Sequence, residues 1–125
     1  MSRKILFLDD SETRLKQAEI VFSKEELYLA RTAERAIEQI STLGPWDLVM
    51  LDHDLGQKYM QDSEDPGSGM EVVRYIEESL PEIKEIIIHS WNVPAAHEMC
   101  SRLAGKYTVS YQPFEGLPGY RSSYE

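Results

Sequence analysis

Cysteine is almost absent from this chain: one residue, Cys100, in 125. A single thiol excludes an internal disulfide framework and fits a reducing compartment. Long hydrophobic runs are missing as well. Ile5-Leu6-Phe7-Leu8 is too short for the core of a secretory signal and ends in two aspartates. No stretch approaches the ~20 apolar residues of a membrane helix. Positive charge is the third scarcity, with 13 Lys and Arg against 22 Asp and Glu for a net charge of -9. Such a chain lacks the footprint that grips a nucleic-acid backbone non-specifically, which argues against extended nucleic-acid binding. A phosphorylated small molecule or a nucleic-acid end would have to be met locally, through a bound cation.

What is present is ordinary globular material. The composition is 42% hydrophobic and 28% charged, and 125 residues suit one packed core. The expectation is one cytoplasmic domain over 1–125, with no membrane association.

Strand and helix patterns alternate along the chain. Lys4 to Leu8 is a short continuous apolar run, the mark of a strand buried on both faces. Residues 11–23 read as a helix capped by Asp10 or Ser11, carrying Leu15, Ala18, Ile20, Val21 and Phe22 at near-helical spacing. Leu27 to Ala30 is a strand, and 32–43 a helix with Ala33, Ala36, Ile37, Ile40 and Leu43 on one face, ended by Gly44-Pro45. Asp47 to Leu51 is a buried strand leading into Asp52-His53-Asp54 and a polar loop from Gly56 to Ser68. A helix follows over 70–80, with Val72, Val73 and Ile76 inward and Pro81 beyond its end. Ile86 to Ile88 is another buried strand, ending in His89-Ser90. Pro94 suits the first turn of a helix running to Ala104, with Gly105 as its stop. Tyr107 to Tyr111 is the last strand. The tail from Gln112 to Glu125 is irregular, and no fifth helix can be drawn through it. The expected fold is therefore α/β, a flavodoxin-like doubly wound sheet of five parallel strands in the order 2-1-3-4-5.

In such a sheet, ligands bind beyond the carboxyl ends of the strands, where strand order reverses. The residues at those ends are Asp9 and Asp10, then Asp52, His53 and Asp54, then His89, Ser90 and Asn92. Carboxylates crowded there repel one another unless a proton or a cation intervenes. Oxygen ligands with open positions left over suit Mg²⁺, and a rim histidine would also permit Mn²⁺ or Zn²⁺. Asp10 alone could be a helix cap, but Asp9-Asp10 with Asp52 at neighbouring strand ends points to a metal site, with Asp54 as a further carboxylate. His53 and His89 could each be structural; at one shared rim they suit an acid–base pair. His97 lies inside a helix and reads as a surface or packing residue. Gly67-Ser68-Gly69 is too short a glycine run to indicate phosphate binding, and Ser68 fits a helix cap. Trp91 either stacks on a base or closes the core.

These segments carry a family resemblance. Leu-Phe-Leu-Asp9-Asp10, Leu-Val-Met-Leu-Asp52, Ile-Ile-Ile-His89-Ser90 and Gln112-Pro113-Phe114 resemble the four signatures of response-regulator receiver domains. The resemblance implies that Asp9 and Asp10 are metal carboxylates, Asp52 the phosphoacceptor position and Ser90 the switch hydroxyl. Gln112 stands where receivers carry a lysine, and the loop from Asp52 to Gly69 is longer than theirs. Asp52-His53-Asp54-Leu55 and His89-Ser90-Trp91-Asn92 are similar to the divergent branch described as cyclic-phosphate processing receiver domains, which implies an enzymatic role on cyclic phosphates.

Three readings stay open. In the first, a metal held by Asp9, Asp10 and Asp52 neutralises phosphoryl charge, His53 and His89 exchange protons, and Ser90 and Asn92 bind phosphoryl oxygens. The acidic stretch 57–68 would close over that site. In the second, Asp52 accepts a phosphoryl group in signalling, against which Gln112 argues, since a neutral amide cannot replace the cation. In the third, the domain binds a partner without chemistry. A missing fifth helix would leave a surface suited to a homodimer or partner.

Overall fold

The computed structural model describes residues 2–56 and 60–113. The elements alternate as β1 (Lys4–Leu8), α1 (Glu12–Val21), β2 (Glu26–Ala30), α2 (Ala33–Leu43), β3 (Leu48–Leu51), α3 (Gly69–Ser79), β4 (Ile86–Ile88), α4 (Val93–Leu103) and β5 (Val109–Tyr111). All five strands pair in parallel, in the order β2-β1-β3-β4-β5.

The continuous apolar runs divide by alternation, since successive side chains of a strand face opposite sides. Ile5, Phe7, Leu48, Met50 and Ile87 turn to one face and pack with Leu15, Ala18 and Phe22 of α1 and its end. Leu6, Leu8, Val49, Leu51, Ile86 and Ile88 turn to the other, where α2, α3 and α4 supply Ala36, Ile40, Val73, Ile76, Met99 and Leu103. Both faces are dry, so the central strands must be apolar throughout. Helix starts follow side-chain capping: Ser11 accepts from the Arg14 amide, Thr32 from that of Arg35 and Asn92 from that of Ala95.

Several local expectations are corrected. Ile20 does not join the core face of α1 but is 74% exposed, because Leu15, Ala18 and Phe22 already form one stripe at spacings of three and four. The last strand begins at Val109, not Tyr107, whose amide bonds to the Leu103 carbonyl and whose hydroxyl donates to the Pro81 carbonyl. α4 ends at Leu103, just before Gly105 as expected, but its C-cap Ala104 keeps right-handed helical angles. The left-handed cap falls instead on Leu80 at the end of α3, with φ 49° and ψ 53°. The expectation of an irregular tail without a fifth helix falls on residues beyond Pro113, outside the described residues. Among the described residues, no helix is long and apolar enough to cross a membrane.

Candidate functional site

Strand register sets the site. Leu8 pairs with Leu51, and Leu51 with Ile88, so the residues that follow them emerge side by side. Those residues are Asp9, Asp52 and His89. Backbone bonds hold the level: the Asp52 amide donates to the Leu8 carbonyl at 3.2 Å and the His89 amide to that of Leu51 at 2.9 Å. One ligand atom from each of the three lies within 4.8 Å of the others, and all three residues are buried.

Their environments differ. Asp9 accepts bonds from Arg14 Nε (2.7 Å), Arg14 Nη2 (3.0 Å) and the Ser11 amide (2.9 Å), and lies 3.1 Å from His89 Nε2. Burial alone would raise its pKa; the bonds from His89 and Arg14 outweigh it and bring the carboxyl down to about 2. Asp52 accepts the His53 amide at 2.8 Å, and its other oxygen is 3.9 Å from Arg14 Nη2. Burial dominates there, reinforced by the Asp9 charge, and raises its pKa to about 7 despite the proximity of His89. His89 stacks on Phe7 with ring centres 4.8 Å apart and planes inclined by 6°. Asp9 and Phe7 together fix that imidazole.

His53 and Asp54 belong to a second cluster. His53 Nδ1 lies 2.6 Å from Asp54 Oδ1, and its Nε2 lies 2.9 Å from Ser63 Oγ. Asp54 further accepts from the Asn92 amide nitrogen at 3.0 Å and from the backbone of Met60 (2.7 Å) and Gln61 (3.2 Å). Burial pushes Asp54 upward, but bonds from Asn92, His53 and Met60 win and lower its pKa. Gln61 reaches back to the Leu55 amide through Oε1 at 2.8 Å. These contacts tie residues 60–68 to the end of β3. His53 is buried and engaged with Asp54 and Ser63, while His89, equally buried, is held by Asp9 and Phe7.

Of the four carboxylates expected to hold a metal, the structure brings Asp9 and Asp52 together. Among the described residues the clustered donors are Asp9, Asp52 and His89; Asp10 and Asp54 do not join them. The two neighbouring carboxylates fit a hard divalent cation such as Mg²⁺, and an imidazole beside them would also admit Mn²⁺. Ser90 and Asn92 are both buried: Ser90 Oγ accepts the Asn92 amide, while Asn92 Oδ1 caps α4 and its amide nitrogen holds Asp54. Ser68 occupies the N-cap of α3 but donates its hydroxyl to the Ser63 carbonyl instead of capping with it. His97 is exposed and packs edge-on against Tyr111. Trp91 does not close the core; it is 57% exposed, next to Ser90 in the chain.

Three contributors escape a reading of the chain alone. Arg14 enters the acidic pocket from the first turn of α1, where an arginine usually passes for a solvated residue. Ser63 meets His53 only because the loop folds back. Gly69 is required by space: a Cβ there would stand 1.8 Å from the Asp52 carbonyl oxygen. Glycine lets α3 begin against the backbone that carries Asp52.

Comparison with known families and structures agrees with this fold. The family model described as "Cyclic-phosphate processing Receiver domain" matches residues 4–105. No curated protein matches the chain. Among solved structures, the N-terminal domain of a Wolinella succinogenes protein is similar with TM-score 0.69 at 17% identity, over 95% of this chain and 86% of that one. The receiver domain of a Francisella response regulator gives TM-score 0.63 at 15% identity, covering 87% and 84%. The BeF3-activated receiver domain of DrrB, a Thermotoga maritima protein, gives 0.62 at 22%, covering 92% and 88%. At these identities the likeness is one of fold.

Proposed function

The chain belongs to the cyclic-phosphate processing receiver domain family, and we propose that this member hydrolyses a cyclic phosphate ester carried by a nucleotide or an RNA end. The observation that carries this reading is the imidazole of His89, clamped between Asp9 and Phe7 beside Asp52 in one buried pocket.

With Nε2–H given to Asp9, the basic nitrogen of neutral His89 is Nδ1. That nitrogen takes a proton from water as the water oxygen bonds to phosphorus. Asp9 stabilises the resulting imidazolium, as the carboxylate of a hydrolase triad does. The proton returns to the departing ester oxygen, so one water is consumed, one P–O bond forms and one breaks. Asp9 and Asp52 would hold a divalent cation, which when bound neutralises charge on the phosphoryl oxygens. His53 acts at one remove, as a positioning residue that with Asp54, Ser63 and Asn92 sets the loop over β3.

Phosphoryl acceptance by Asp52 is the competing reading, favoured by its place at the end of β3 in a receiver fold. Gln112 counts against it: its Nε2 bonds to Ser110 Oγ at 3.2 Å, and a neutral amide offers no charge to a phosphoryl dianion. Turnover of 2′,3′-cyclic mononucleotides with Mn²⁺ or Mg²⁺ is expected, falling ~10²-fold or more in His89→Ala and little in Gln112→Lys. A phosphorylated Asp52 by intact mass after a small phosphodonor, with no cyclic-phosphate turnover, would reverse the conclusion.

A further inference from the structure

A chain short of cations places one of them in an acidic pocket. Arg14 lies in the first turn of α1, where its amide is held by Ser11 Oγ at 3.3 Å. From there its guanidinium grips both oxygens of Asp9, through Nε at 2.7 Å and Nη2 at 3.0 Å. The same Nη2 stands 3.9 Å from Asp52 Oδ2. One planar cation thus spans the two carboxylates that would share a divalent ion. Its side chain is 27% exposed while Asp9 is fully buried, so the guanidinium has an outlet to solvent that the carboxylate lacks.

We propose that Arg14 is the resident cation of this pocket and that a divalent ion and the Arg14 guanidinium exclude one another at Asp9 and Asp52. The exchange rests on reading Asp9 and Asp52 as the metal pair, not on hydrolysis. A carboxylate oxygen bonded to a metal ion cannot keep a 2.7–3.0 Å bond to a guanidinium on the same side, and two cations at that spacing repel in a low-dielectric pocket. Without metal, Arg14 keeps two buried acids from facing one another unneutralised. With metal, it leaves the pair but stays tethered to α1 at the rim. There its forked donors suit phosphoryl oxygens, supplying the charge that Gln112 does not. Metal and a phosphate ester would then bind cooperatively, each favouring the arginine's outward position.

Mn²⁺ titration of the full chain by calorimetry at fixed pH tests this, comparing wild type, Arg14→Gln, Arg14→Lys and Asp52→Asn. Affinity is expected to rise at least ~10-fold in Arg14→Gln, to lie between in Arg14→Lys, and to fall in Asp52→Asn. Should Arg14→Gln fail to fold, the wild type answers by itself. Addition of Mg²⁺ should shift the Arg14 side-chain Nε–H resonance and speed its exchange with water. Equal or weaker Mn²⁺ binding by Arg14→Gln, or an Arg14 resonance indifferent to bound Mg²⁺, overturns the exchange while leaving the metal pair intact. Failure of every form to bind metal overturns the metal pair as well.

Discussion

Asp9 and Asp52 are chemically the same side chain, yet their surroundings drive them apart, to about 2 and about 7. Asp9 has Arg14 and His89 on it; Asp52 has burial and the Asp9 charge against it. The sign for Asp52 follows from linkage. An unfolded carboxyl titrates near 3.8, so between that value and about 7 the folded chain holds the extra proton. Stability from this group is complete below pH ~4 and is lost as pH rises through 7. Asp52→Asn removes that loss. Its melting temperature should match wild type near pH 4 and exceed it by about 10 °C at pH 7.5, equivalent to on the order of 3–4 kcal/mol. A gain that is largest at low pH would contradict the assignment. Asp9 runs the other way: its contribution holds above the unfolded value and drains as pH falls toward 2.

Gly69 is the other residue on which the site depends. Its missing Cβ makes room for the Asp52 carbonyl, and its amide donates to the His53 carbonyl at 2.8 Å. Gly69→Ala must push α3 away from β3 and should cost about 4 kcal/mol or more, seen as loss of a cooperative urea transition. A transition within 1 kcal/mol of wild type, on the order of ordinary surface changes, would show that α3 is free to shift.

Among the elements, the strands and helix starts were the most legible, because each follows a local rule. Ile86 to Ile88 can only be a buried strand at that length, and Ser11, Thr32 and Asn92 sit where the first turns need an acceptor. The stops were less legible. Gly105 carries the usual mark of a helix end, but the left-handed residue is Leu80, a conformation that costs a side chain ~1 kcal/mol. Leu80 is also 55% exposed, so removing its side chain gives up little burial. Leu80→Gly should therefore raise stability by about 0.5–1 kcal/mol, readable as a higher urea midpoint with unchanged slope. A lower midpoint would mean that Leu80 packs better than its exposure suggests.

The site was legible at the level of strand ends and illegible at the level of side-chain direction. Asp9, Asp52 and His89 each follow a buried strand, and order and register then bring them together. Successive residues of an extended chain face opposite ways, which is why an immediate neighbour in sequence such as Asp10 or His53 need not share the pocket. Arg14 and Ser63 reach their partners through a helix turn and a folded loop, neither of which leaves a motif.

At the scale of the molecule, the fold brings segments 43 and 80 residues apart into contact around Asp9, at Asp52 and His89. The surrounding charge is strongly negative, a net of -9. An anionic ester approaches against that field, so raising ionic strength from about 0.02 to 0.2 M should increase kcat/KM at saturating metal. A decrease would mean that a local positive potential, with Arg14 its candidate source, governs encounter.

The central claim is that His89 exchanges the proton of cyclic-ester opening in this pocket. Phosphorus-31 NMR of a 2′,3′-cyclic mononucleotide incubated with the metal-loaded chain tests it most directly. The cyclic resonance is expected to convert to a monoester resonance with wild type and to persist with folded His89→Ala. Equal conversion by the two proteins, or a cyclic resonance unchanged by wild type with each divalent metal, would contradict it.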